Sequence, residues 1–541
     1  MRLPKSFLLI LVWIGVLPGC SERFRHSVQQ VPPPANSNSA TTYTDSTITL
    51  AAGKHYDRSG LHTFFYGRHY RPAWYTPVTV KVLDLATAEG GLTPLELGGS
   101  RQSISLRLQN PAGVEYVLRS IDKEPASLLP ESLQQSYLAN IVRDATSATH
   151  PFAALVVPHL AEAIHIYHTS PELVYVPHDP RLGRFLPNIG GTLALLERRP
   201  DGDQTDNPQM GNARKVVSTR SALEERLTDN DANFDARFYL RCRLLDMLLG
   251  DWSRHEDNWR WAKQQQDKKG ATYRAIPRDR DNVFYKLNDA PVPWLFMFMG
   301  LKPHFQTYKP RISAENLEDL NHSARNLDNL ILAKLAWQDW QEVADSVQQE
   351  LTDAVVEQAF RAMPDTIYQL TAAPLIATFK TRRNNLQHLA RTYYTILAEN
   401  VQAVGTDKHE VFELNVLSGK EVTLQVFKAD KDGKTKKALW QRTFYANETD
   451  VLELYGLDGN DRFIVTGSVK PAIKIKVWGG AGQDTYQVHG QGSKLSKAVR
   501  INDSKYRNTF DVDKHTAIDI DDDIPAQKFD AHGWLLRYYL N

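Results

Sequence analysis

The stretch Gly250–Trp261, "GDWSRHEDNWRW", decides how this chain is read. It follows "ANFDARFYLRCRLLDMLLG" (232–250), in which Phe234, Phe238, Leu245 and Leu249 recur at helical spacing and Gly250 supplies the stop. Polar residues set among Trp252, Trp259 and Trp261 describe a loop pinned by aromatic packing, with the tryptophans as core anchors rather than stacking platforms for bases. Cys242, among Phe238, Leu245 and Leu249, reads as a buried structural thiol and not as a nucleophile. Beyond the loop comes a strand-like "YRAIPRDRDNVF" (273–284), which carries Asp279-x-Asp281 and then Phe284.

Upstream, residues 75–123 alternate apolar and polar positions in "TPVTVKVLDL", "SISLRLQN" and "VEYVLRSI", with "NPAG" (110–113) as a hairpin turn. "ESLQQSYLANIVRDATSATH" (131–150) reads as a helix, and 201–214 as a polar loop. Three features here could serve an anion. Gly98 and Gly99 precede a strand, where glycine lets backbone N–H groups approach phosphates. Arg119, or Lys123 four residues later, puts a cation on a strand. Asp144, on the following helix, could be that cation's acidic partner. The plainer readings are an ordinary hairpin for the glycines and exposed strand cations for Arg119 and Lys123; for Asp279 and Asp281 it is a solvated turn in which they pair with Arg278 and Arg280.

Taken in order, these parts resemble an atypical kinase. Arg254, His255 and Asn258 are spaced like the Arg-His-x-x-Asn of lipid kinases and secretory-pathway casein kinases. Asp279-x-Asp281 followed by Phe284 is similar to the metal-binding Asp segment of the spore-coat CotH kinases. The resemblance covers about 90–290 and implies a strand-rich lobe, a helical lobe, and Mg²⁺ with ATP held by Asn258, Asp279 and Asp281. In those kinases the strand cation is Lys, and Arg119 holds the matching place; Arg is a planar fork and no conservative exchange.

The departure that matters is Ser253, which stands where those kinases place the catalytic Asp. A general base contributes about 10²–10⁴-fold, so its loss implies a slow enzyme or a pseudokinase. Asp251 and Asp257 are displaced in register, and His255 is the other acid–base group within the loop. More widely, "HTFFYGRHYRPAW", "LVYVPHDPRLG", "GDWSRHEDNWRW" and "LYGLDGNDRF" resemble a Bacteroidota envelope-protein module that is often fused to metallophosphoesterase or outer-membrane barrel domains. Neither activity follows for this chain from that resemblance.

The N-terminus reads as an export signal. Arg2 and Lys5 precede the apolar run Phe7–Leu17, too short to span a bilayer, and "LPGC" ends at Cys20. The box resembles that of bacterial lipoproteins, which makes Cys20 the lipidation site; Pro18 is unusual inside it. A plain cleaved signal or an N-terminal anchor is the alternative. This places the protein at the cell envelope, lipid-anchored, with the outer membrane or a protein in it as expected partner. Lys+Arg (64) and Asp+Glu (63) nearly cancel, so no global field recruits nucleic acid. No Gly-x-Ser-x-Gly or His-Glu-x-x-His motif indicates another enzyme class.

After about 405 short strands take over. "GLDGNDRF" (456–463) aligns with "GGAGQDTY" (479–486), matching Gly459 to Gly482, Asp461 to Asp484 and Phe463 to Tyr486. Both resemble the repeat of calcium-binding β-rolls, which makes Asp458, Asp461 and Asp484 calcium candidates. The wide spacing fits equivalent turns of a β-solenoid or sandwich, with or without metal. "IDIDDDIP" (518–525) is an acidic turn, and "WLLRYYLN" is an aromatic tail, either a last strand or a contact with a membrane partner. The expected fold is therefore α+β, with a signal peptide (1–20), a disordered tether (21–50), a strand-rich kinase-like N-lobe (51–220), a helical C-lobe (221–404) and a C-terminal β domain (405–541). The alternative to a nucleotide-binding core is a non-enzymatic envelope scaffold.

Overall fold

The alternating segments pair into a seven-stranded sheet in the computed structural model, which describes residues 30–31, 43, 46–98, 102–266, 270–298, 305–490, 494–521 and 524–540. Cys20 and its signal segment, most of the tether, Gly99, Asp522 and Asp523 lie outside the described residues. Strands Thr93–Gly98, Ser103–Gln109 and Glu115–Lys123 form an antiparallel meander, with Gly113 at φ +81° in the "NPAG" turn. Glu115–Lys123 then pairs with Thr192–Arg198, which pairs with Glu172–Val176; Val78–Val82 and Thr47–Leu50 complete the far edge. A register shift between Ser105–Arg119 and Ser103–Lys123 bulges the long strand between its two cations.

The helix expected before the quoted loop spans Ala236–Leu249. Asp235 caps its N-terminus, its carboxylate accepting from the amide of Phe238 at 3.1 Å. Gly250 ends it at φ +70°, where a Cβ would meet Tyr308 Cδ2 at 2.9 Å and Arg382 Nη1 at 3.2 Å. The helix is buried on nearly every face, Cys242 included, and burial pushes that thiol up, as befits a structural residue.

Helices do fill most of 314–398, but 216–277 also holds a four-stranded sheet, built on the hairpin Trp259–Gln266/Gly270–Pro277. Alternation explains it: Trp259 and Trp261 face the helix and are fully buried beside Tyr239, while Arg260 turns away. The segment 201–214 is laced by backbone bonds, among them Gly202 to Val216 at 2.7 and 3.1 Å.

The C-terminal strands stack as a parallel β-solenoid of two facing sheets. Phe463 pairs in register with Tyr486, and Asp461 lies one coil, 23 residues, from Asp484. Phe412, Phe463, Tyr486 and Phe510 stack ring on ring at 4.9–5.3 Å between centroids, a ladder down the interior. The hairpin Glu421–Ala429/Thr435–Tyr445 is inserted between the first two coils and widens their spacing to 51 residues. The aromatic tail is not a last strand: Ala531–Leu535 is a short helix, and Trp534 and Tyr538 are buried against this chain's own core.

Candidate functional site

Lys123 ends the long strand and Asp281 follows the hairpin, and the fold brings them together: Lys123 Nζ lies 2.6 Å from Asp281 Oδ2. Arg119, on the same strand, donates to Asp279 and lies 3.7 Å from Glu197. Both cations are therefore committed to the Asp-x-Asp turn, and Lys123, rather than Arg119, meets Asp281. Asp279 and Phe284 bracket this turn at φ +63° and +60°; for Phe that conformation is strained, and it is held by deep packing against Tyr308 and Phe360. Tyr70 Oη fixes the same turn by donating to the Phe284 carbonyl at 2.5 Å.

Burial raises the Asp281 carboxyl above the usual range, Lys123 opposes that, and Asp279 adds to it. Burial also works against the charge on Asp279, but Arg119, Lys123 and Arg278 together hold its carboxyl below the usual range. The plainer pairing is not found. Arg278 Nε donates to the Asp257 carbonyl and Arg280 to Asp246.

Ser253 joins the quoted loop to this turn. Its hydroxyl donates to Asp251 Oδ1 at 3.0 Å and accepts from Asn282 Nδ2 at 3.2 Å, while its carbonyl accepts from Asn258 Nδ2. The Asn258 amide oxygen is thus the atom left for a cation. Arg254 organises the loop from beneath, donating to the carbonyls of Arg278 and Asn258 at 2.9 Å each and lying over the Trp259 ring. Asp251 is 1% exposed, its oxygens taken by Ser253, Arg254 and Arg280, so it is a structural anion and reaches no substrate. His255 is half-buried, its backbone amide donating to the Ser253 carbonyl.

Asp144 does not pair with either strand cation. Its carboxylate accepts from Arg71 at 2.9 and 2.6 Å and lies 3.1 Å from His62 Nε2, which corrects its expected role. Burial disfavours its charge, but His62 and Arg71 hold the carboxyl well below the usual range. Arg71, His62 and Asn282 were not singled out by motif, although the density of His, Arg and aromatic residues in "HTFFYGRHYRPAW" is more than a solvated loop requires. Gly98 pairs with Ser105 within the hairpin.

Two cavities meet at Lys123. One, about 50 Å³, is lined by Arg119, Lys123, Glu197, Asp279 and Asp281, and has room for a few waters or a hydrated ion. The other, about 380 Å³, lies toward the Tyr137–Asp144 helix and is mostly apolar.

In the solenoid the calcium candidates do not converge. Asp458 Oδ1 accepts from its neighbour Gly459, Asp461 Oδ1 from the amide of Glu410, and Asp484 Oδ1 from the amide of Asp461, each at 2.7–2.8 Å. The last two brace one coil on the next. Among the described residues no group of three or more His, Cys, Asp or Glu is placed to hold a metal.

No family model matches the chain, so its resemblance to an envelope module has no family behind it. No curated protein matches either. Among solved structures it is similar to the Helicobacter pylori proinflammatory kinase CtkA (11% identity, 56% of this chain and 94% of that one, TM-score 0.29). It is also similar to the Rio2 kinase of Chaetomium thermophilum, solved with ADP/Mg²⁺ and phosphoaspartate (8% identity, 56% and 74%, TM-score 0.24). Both neighbours are kinases, but at such TM-scores the likeness decides nothing about this chain's fold or chemistry.

Proposed function

We propose that the core is a kinase-like unit that binds Mg²⁺-nucleotide and lacks the catalytic acid. The observation that carries this is the Lys123–Asp281 pair at 2.6 Å, which sets a strand cation against a carboxylate from the turn after the hairpin. A phosphoryl-transfer site needs that pairing of parts: a cation for the phosphates and a carboxylate for the metal. Asp281 and the Asn258 amide oxygen are hard oxygen donors of the kind Mg²⁺ takes, and Ser253 ties their two segments together. Bound Mg²⁺ would neutralise phosphate oxygens there. The 50 Å³ cleft must widen to admit a nucleotide, and the phosphates would then take the place of Asp281 on Lys123.

Ser253 cannot act as a carboxylate base, and Asp251 beside it is buried in ion pairs. Transfer through this site would be slow, and nucleotide binding itself is the better-supported activity. The N-terminal sequence supports export and lipidation at Cys20, which would place this unit at the envelope. The experiment is the melting temperature of protein from residue 21 onward, with and without Mg²⁺-ATP, beside Asp281→Ala. A rise in the unmutated protein alone supports the reading, because only a ligand of the folded state raises the midpoint. No rise at millimolar ATP would make the unit a non-enzymatic scaffold.

A further inference from the structure

The larger cavity meets the candidate nucleotide cleft at Lys123 and differs from it in the rest of its lining. Its walls are mostly aliphatic and aromatic, among them Ile141, Val142, Tyr285, Leu287 and Phe305, with a few polar groups such as Gln102 and Thr146. At about 380 Å³ it exceeds the roughly 150 Å³ that suffices for benzene in an engineered cavity, and it falls in the range of small-molecule sites.

Its charged lining is sparse. Asp144 is neutralised by Arg71, which leaves Lys123 as the cation at the wall. The Lys123 side chain is 6% exposed, and an ammonium carries three donors. Asp281 takes one. A buried ammonium at the wall of a mostly apolar chamber can receive an acidic group on an apolar chain.

The rim adds to this. The helices Gly60–Tyr66 and Pro291–Phe298 pack together and put Tyr66 and Val292 into the wall. The same two helices expose Leu61 (71%), Phe64 (65%) and Trp294 (56%), a collar of apolar side chains. We propose that the chamber binds a single-chain amphiphile, its chain against Ile141, Val142 and Phe305 and its carboxylate on Lys123. A fatty-acid-like molecule is the ligand class, drawn from solution or from a bilayer.

The test is calorimetric titration of the full protein with hexanoate, octanoate and dodecanoate as monomers, and separately with phosphatidylcholine vesicles carrying oleate. Saturable one-to-one binding should tighten about fourfold per added methylene, the equivalent of about 0.8 kcal/mol per buried CH₂, until the chamber is full. Val142→Trp or Ile141→Trp, each filling the chamber, should abolish it; two variants guard against one that fails to fold. Lys123→Met should weaken dodecanoate by about tenfold or more and leave dodecanol unchanged, since a charge-assisted bond is lost only to the acid. Binding indifferent to chain length, or unaltered in both tryptophan variants, overturns the proposal. Binding to vesicles without monomer binding also overturns it and assigns the collar to a lipid surface instead. The tryptophan substitutions lie away from Asn258 and Asp281, so a response to Mg²⁺-ATP survives them and reports on the nucleotide reading separately.

Discussion

Lys123 and Asp281 form a cross-sheet ion pair whose cation is almost fully enclosed, at 5% exposure, while the carboxylate side chain keeps 22%. Removing one partner leaves the other buried without compensation, whereas removing both leaves a smaller debt of lost packing. Lys123→Met should therefore lower stability by about 1–3 kcal/mol, at the lower end of such losses because Asp281 retains some water. Adding Asp281→Asn should recover part of that. Urea unfolding followed by tryptophan fluorescence, run as a double-mutant cycle, measures the coupling; strictly additive losses would show that the pair is not an energetic unit.

A deeper network holds the helix before the loop. Asp328, fully buried, accepts from Tyr239 Oη at 2.8 Å, Arg243 Nε at 3.0 Å and Tyr393 Oη at 2.6 Å. Arg243 also bonds Asp246 and Asn321 at 2.5 Å each. Asp328→Ala takes one of two carboxylates from a buried guanidinium and the acceptor from two buried hydroxyls, and should cost about 3–5 kcal/mol, enough to lower soluble yield sharply. Asp328→Asn keeps an acceptor and should cost visibly less. Equal losses from the two substitutions, by melting temperature, would mean that packing rather than charge governs the position.

Much of this was legible in the sequence, and the reason is periodicity. The meander, the Ala236–Leu249 helix with its Gly250 stop, and the 23-residue repeat all follow from spacing that any register of the chain must respect. The Asp-x-Asp turn and the loop carrying Asn258 were found because each is a local motif. What escaped was long-range: which strand cation reaches Asp281, and what takes Asp144. The bulge between Arg119 and Lys123 decides the first, and a segment some seventy residues upstream, through Arg71, decides the second. Neither leaves a local trace. The solenoid turns that resemble a calcium motif lie one coil apart, and Asp461 and Asp484 each accept a backbone amide of the neighbouring coil through one oxygen.

Restoring the missing acid should not be simple. Around Ser253 three guanidinium groups (Arg243, Arg254, Arg280) meet three carboxylates (Asp246, Asp251, Asp328), a balanced set. Ser253→Asp adds a fourth carboxylate beside Asp251, and like charges in a buried site disfavour ionisation of both. The single variant should melt several degrees lower, about 1–2 kcal/mol, with no faster ATP turnover. Ser253→Asp with Asp251→Asn restores the balance and should regain the stability. Any gain in phosphoryl transfer, up to about 10²–10⁴-fold for a working base, should appear only in that pair. A stable, faster single variant would refute the charge argument.

The solenoid makes the sharpest pH prediction. Burial raises the carboxyls of Glu410 to about 7 and Asp503 to about 6, and those of Asp461 and Asp484 well above their ordinary values. Asp461 Oδ2 and Asp484 Oδ2 are buried oxygens without a hydrogen-bond partner among the described residues, which favours the protonated form. A carboxyl whose folded pKa is raised contributes stability that is complete below its unfolded pKa, near 4, and is lost as pH rises through the folded value. The column therefore weakens from about pH 4 to 7 through Glu410 and Asp503, and further above that through the two aspartates. Half-buried His55 and buried His69, each lowered to about 4 chiefly by burial, act oppositely: their contribution grows as pH rises toward their unfolded value near 6.5. The clean measurement is thus a difference. Asp461→Asn and Asp484→Asn keep the amide acceptor but cannot ionise. Their melting temperatures should match the unmutated protein near pH 4 and exceed it increasingly as pH rises, by about 3–8 °C for each one to two kcal/mol lost in a unit of this size. A constant offset across that range would mean that these carboxyls are ionised in the folded protein, stabilised by a cation.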